Sequence, residues 1–107
     1  MGAMITIKYA SSVEAADIEV LANGFKLLVE QAIGENDVFI YTETSSVAVG
    51  IEPIEVFIQV NGREVTDPEQ LTETIAKAFS AWKQESKFSQ PINLNVIPVQ
   101  WHFRIGL

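Results

Sequence analysis

Hydrophobic and polar positions alternate most clearly in the middle of the chain. Ile54, Val56, Ile58 and Val60 alternate with Glu55, Phe57 and Gln59, the period-two pattern of a pleated strand. Met4 to Tyr9 alternates in the same way and is rich in β-formers, which predicts a first strand. Val38 to Thr44 predicts a second strand, and Ile92 to Val99 a fourth. Pro98, near the end of that fourth strand, points to an edge, a bulge or a bend. Trp101, Phe103 and Ile105 alternate with His102 and Arg104 and predict a short fifth strand.

Two stretches carry a helical period instead. Leu71, Ile75, Ala78, Phe79 and Trp82 form one apolar stripe. Asp67 stands as its N-cap, Pro68 suits the first helical position, and Gln70 occupies the place of a capping-box partner. Earlier in the chain, Ile18, Leu21, Phe25, Leu28 and Ala32 repeat at spacings of three and four. Ser11-Ser12-Val13-Glu14 has the form of a capping box ahead of them, and Gly34 ends the helix. The Asn23-Gly24 pair is a local conflict, because a mid-helix Gly costs about 1 kcal/mol against Ala. It marks either a close helix–sheet contact or simple tolerance. Asn61-Gly62-Arg63-Glu64 predicts a sharp turn with a positive φ at Gly62. Ser45 to Pro53 and Lys83 to Gln90 predict loops.

The order is strand–helix–strand twice over, plus a final short strand. That is an α+β fold of two βαβ units, βαββαβ, with two helices on one face of a four-stranded sheet. The halves share a plan, but no repeated sequence is evident. Two helices cover a single face of such a sheet. Apolar residues on both faces of several strands, Phe57 among them, then predict an oligomer that buries the other face.

Composition narrows the function classes. The 107 residues fit one domain, with residues 4–107 as the folded unit and Met1-Gly2-Ala3 expected to be a leftover of expression cloning. Hydrophobic residues make up 48%, which favours a packed core over disorder. Seven basic against fourteen acidic residues give a net charge of −7, so no nucleic acid and no anionic membrane surface is expected as partner. The absence of Cys excludes disulfides, thiolate nucleophiles and Cys-ligated zinc, and a single His excludes a multi-histidine metal site within one chain. No metal and no cofactor is expected, and a cytoplasmic location is the default.

The pattern resembles the tautomerase superfamily, the fold of 4-oxalocrotonate tautomerase and macrophage migration inhibitory factor. The likeness covers most of the chain. It is carried by the paired βαβ plan, the loop Ser45 to Pro53, the segment Val96-Ile97-Pro98-Val99-Gln100 with its short strand, and the Gly62-Arg63-Glu64 turn between strand and helix. Val60 to Glu73 resembles more closely still a small bacterial branch of the superfamily with such a turn. The resemblance implies a homotrimer whose sheets line a central barrel, and a pocket holding a small anionic ligand. It also implies a general base at an N-terminal proline. Here the residue after Met4 is Ile5 and the residue after Met1 is Gly2, and all four prolines are internal. Proline-dependent tautomerisation is therefore not expected.

What remains is a short set of candidates. The α-amine at Met4, if that residue is the native start, is a base of ordinary strength, near ~7.7–8.0. Lys8, Arg63 and Arg104 are cations able to hold a carboxylate, and the arginines suit bidentate contact. His102 is the one side chain that ordinarily titrates near neutrality. Trp101 would close a pocket or anchor a subunit interface. Against each stands a bland use: a solvated charge, the outer face of an edge strand, or the core. Glu43 and Glu55 form a weaker candidate pair across adjacent strands. Three functions follow: a non-catalytic tautomerase-fold oligomer, an altered tautomerase acting on a small keto acid, or a regulatory module of the ferredoxin-like fold, which shares the element order.

Overall fold

The computed structural model describes residues 2–35, 37–45, 53–100, 102, 104, 106 and 107. Within them, β1 spans Ala3–Ala10, α1 Ala15–Ile33, β2 Val38–Ser45, β3 Ile54–Asn61, α2 Pro68–Ser86 and β4 Asn93–Val99. The strands form one sheet in the order β2-β1-β3-β4. β1 runs parallel to β2, β3 runs parallel to β4, and β1 meets β3 antiparallel. Each βαβ unit is thus intact, and the two meet along a single antiparallel seam. In the ferredoxin-like alternative a strand separates the partners of each unit. Nothing separates them here, so that alternative falls. The expected fifth strand rests on Trp101, Phe103 and Ile105, which lie outside the described residues.

The register shows how alternation builds the core. Ile5 lies opposite Ile58 and Ile40, and Ile7 opposite Val56. Ile5, Ile7, Ile54, Val56 and Ile58 are all fully buried beneath the helices. From above, Leu21, Phe25 and Val29 of α1 and Ile75 of α2 close the same core. Phe57 sits on the other face, as the alternation required, and Pro98 lies in an edge strand.

Local signals along the chain agree with the structure at some positions and not at others. Asp67 caps α2 as expected: its Oδ1 accepts from the Gln70 N–H at 3.0 Å, and Pro68 opens the helix. Gly34 ends α1 at φ 73°, its N–H donating to the Glu30 carbonyl. The Ser11 capping box does not form. The helix starts at Ala15 after Glu14, with no side-chain cap, because the preceding residues form a turn in which the Val13 N–H donates to the Ala10 carbonyl and Val13 is buried. The conflict at Gly24 resolves against the other helix rather than the sheet: a Cβ there would lie 2.5 Å from the indole of Trp82. Phe25 stacks on Phe79 at 5.0 Å and Phe79 on Trp82 at 5.6 Å, so this close approach is what brings the helices' aromatic rings together. α2 also runs on to Ser86, past the predicted loop start at Lys83.

The turn after β3 forms by another route than expected. Gly62 has no positive φ. Instead the Asn61 side chain accepts from the Arg63 N–H at 2.9 Å, and the Asn61 carbonyl accepts from Glu64 and Val65. A side chain mimicking a backbone turn removes the need for a left-handed residue.

Candidate functional site

The topology places four segments at one end of the sheet: the start of β1, the close of α1, the turn after β3 and the first turns of α2. A cavity of about 320 Å³ opens between them. Ala3, within the residues set apart as a leftover, is fully buried in β1, and its N–H donates to the Asp37 carbonyl at 3.0 Å. Gly2 precedes it, buried, at the cavity wall. A Cβ at Gly2 would collide with the Asp37 carbonyl, so the backbone passes there as only glycine permits.

The cavity wall is half apolar, with Val60, Val65 and Leu71, and half polar, with Asn61, Thr66 and three carboxylates. The carboxylates are Glu35 just past α1, Glu64 in the turn, and Asp67 at the α2 cap. No Lys, Arg or His is among the described residues that line it. A cation ~4 Å from one of these carboxylates gains about 4 kcal/mol at an effective dielectric of ~20, and an anion loses as much; water and salt reduce both.

The expected site residues lie elsewhere. Met4 is inside β1 on the face away from the helices, between Phe39 and Gln59 in register. Lys8 is exposed on the same face near the far end of β1, opposite Glu43 on one side and Glu55 on the other, with its Nζ 5.7 Å from the Phe57 ring centre. Glu43 and Glu55 are consequently not on adjacent strands and do not form an acid–base couple; β1 separates them. Glu55 is buried to 9% exposure, its oxygens accepting from Asn93 at 2.8 Å and Asn95 at 3.3 Å. Arg63, His102 and Arg104 are exposed. The Gly62 N–H donates to the Val99 carbonyl at 3.0 Å, so these three leave the sheet at the cavity end without lining the cavity. Trp101 lies outside the described residues.

Sequence reasoning passed over Gly2, Glu35, Asn61 and Glu64. A signal was present in the topology: parallel β1 and β2 put the α1–β2 connector at the same end as the β3–α2 connector, and both carry acids. A second hollow, about 300 Å³, lies between α2 and β4. Phe79, Ile92 and Leu94 line it beside Lys83, whose Nζ is 5.9 Å from the Phe79 ring centre.

No family model and no curated protein sequence matches the chain. Solved structures do match, in fold. Malonate semialdehyde decarboxylase aligns with a TM-score of 0.68 at 13% identity, covering 97% of this chain and 92% of that one. A macrophage migration inhibitory factor-like protein from Entamoeba histolytica gives 0.60 at 14% identity, covering 95% of each chain. A fused 4-OT wild-type symmetric trimer gives 0.62 at 16% identity, covering 97% and 94%. The βαββαβ order and the strand order β2-β1-β3-β4 are those of the tautomerase fold.

Proposed function

From that fold, we propose that this chain is a tautomerase-superfamily protein that assembles as a homotrimer, uses the cavity at the start of β1 as its ligand site, and has no proline-dependent tautomerase activity. One observation carries the reading. The cavity joins the Gly2 backbone to Glu35, Glu64 and Asp67, and no cation is among its described lining residues. The resemblance implies a proline base paired with cations that grip a carboxylate; here the residue after Met4 is Ile5, and the described wall residues carry acids. A proline ring at Gly2 would also meet the Asp37 carbonyl. The trimer is supported by the uncovered sheet face, where Phe39, Tyr41 and Ile97 remain exposed, and by the trimeric state of one fold neighbour.

A second reading rests on the bond between Gly62 and Val99, which ties the turn carrying Arg63 to the end of β4, with the exposed His102 and Arg104 following it in the chain. In it these residues, with Trp101, bind a small keto acid, and the α-amine at Met4, on the condition that Met4 is the native start, is the base; Lys8, near the far end of β1, stands apart from them. Light scattering and an assay of keto–enol conversion of an arylpyruvate separate the two. The first expects a mass of three chains and a rate equal to buffer. A rate above buffer, lost in His102→Ala or Arg104→Ala, would establish the second.

A further inference from the structure

On the open face of the sheet, the charges along the four strands are gathered into a single row: Glu43 of β2, Lys8 of β1 and Glu55 of β3. Lys8 is the one cation on that face among the described residues. Glu55 is buried and already accepts from Asn93 and Asn95. Lys8 and Glu43 are both exposed and stand opposite each other in register, yet among the described residues no ion pair joins them. The Lys8 Nζ lies instead 5.7 Å from the Phe57 ring centre, on the β3 side and away from β2. The face therefore carries two unlike patches. The Lys8 ammonium and the half-buried Phe57 ring form one on the inner strands, and the Glu43 carboxylate and the exposed Tyr41 ring form the other on the edge strand β2. Each sets a ring beside a charge, and the two charges are opposite.

We propose that in the assembled protein β2 of each chain lies over the open face of the next, with the Glu43 carboxylate on the Lys8 ammonium and the Tyr41 ring against the Phe57 ring. The proposal rests on the reading of this face as the trimer interface, and names the contact that closes it. An ammonium has three donors, so Lys8 accepts a carboxylate without leaving Phe57. Rings in contact add an attraction beyond the area they bury. Chains of charge −7 repel one another at a distance, so close approach favours a contact that sets opposite charges together. The two patches differ, so the contact runs head to tail, and such a contact repeats until rotation closes a ring.

The chain has no Cys, so introduced cysteines report this contact without background. Lys8→Cys and Glu43→Cys chains, co-expressed and mildly oxidised, are expected to form a disulfide between chains, and either variant alone to form far less. In light scattering, Lys8→Glu and Glu43→Lys should each raise the concentration at half-assembly by at least roughly tenfold, and the two together should return it towards that of the parent chain. Should either reversal fail to fold, the cysteine mixture, which adds no charge, decides. Cross-linking of Lys8→Cys alone as strong as that of the mixture would mean that the patch meets itself, and would overturn the proposal. A combined swap that assembles no better than the single reversals would overturn it too. A parent mass of three chains with no mixed cross-link would overturn the pairing and leave the trimer standing, whereas a parent mass of one chain would defeat both.

Discussion

On the helix-covered face of the sheet Ile5, Ile7, Val56 and Ile58 are fully excluded from water, whereas on the opposite face Phe39, Tyr41 and Ile97 keep 38%, 57% and 37% of their surface. The same strands supply both faces, because successive residues point to opposite sides. The covered face is almost wholly aliphatic. The other mixes rings with charge: Tyr41, Thr6, Phe57 and Asn95 form one cross-strand row, and Glu43, Lys8, Glu55 and Asn93 the next. Aliphatic packing is satisfied by any well-fitting apolar neighbour, so it can be completed within one chain. A surface of rings beside a buried, amide-held carboxylate is specific about its neighbour, and suits a second copy of the same chain.

Substitutions separate the two faces by size of effect. Ile58→Ala, on the covered side, should cost about 2–5 kcal/mol, read as a lower urea midpoint at unchanged slope. Gly24→Ala should cost about 1–3 kcal/mol, since the added methyl meets the Trp82 ring despite the better helix propensity. If instead it stabilises, the helices are not held as close as described. Asp67→Ala, at the rim of the covered side, should cost about 1 kcal/mol, while Ser11→Ala should change nothing measurable, because α1 begins beyond it. Tyr41→Lys, on the open face, should alter the stability of a dissociated chain by less than about 0.5 kcal/mol and, on the proposal that this face is buried in a trimer, shift the light-scattering mass from three chains towards one. A large loss of stability in the dissociated chain would break the distinction between the faces.

Much of the covered face was legible in the sequence. Period-two and period-3.6 patterns at Ile54 to Val60 and Leu71 to Trp82 depend on local spacing, and burial followed them. The Asp67 cap is equally local and formed as read. Signals that compete with packing were misread. Ser11 has capping chemistry, but burial of Val13 displaced the helix start, and Asn61 made the turn that Gly62 was expected to make. The site was the least legible part. Arg63, His102 and Arg104 attract attention as rare cations, while Glu35 and Glu64 are two acids among fourteen. Their meeting is a property of parallel strand pairing, and spacing along the chain does not express it.

The contact between Gly24 and Trp82 has a further consequence for how the sequence can vary. An alanine at position 24 is harmful while the indole is present. With Trp82→Leu the obstacle goes, and the same alanine then recovers the roughly 1 kcal/mol that glycine costs a helix. The sign of one substitution therefore depends on the other, and a double-mutant cycle should show strong non-additivity. Positions 24 and 82 are therefore expected to vary as a pair: loss of the indole releases the glycine, whereas loss of the glycine first passes through a less stable intermediate.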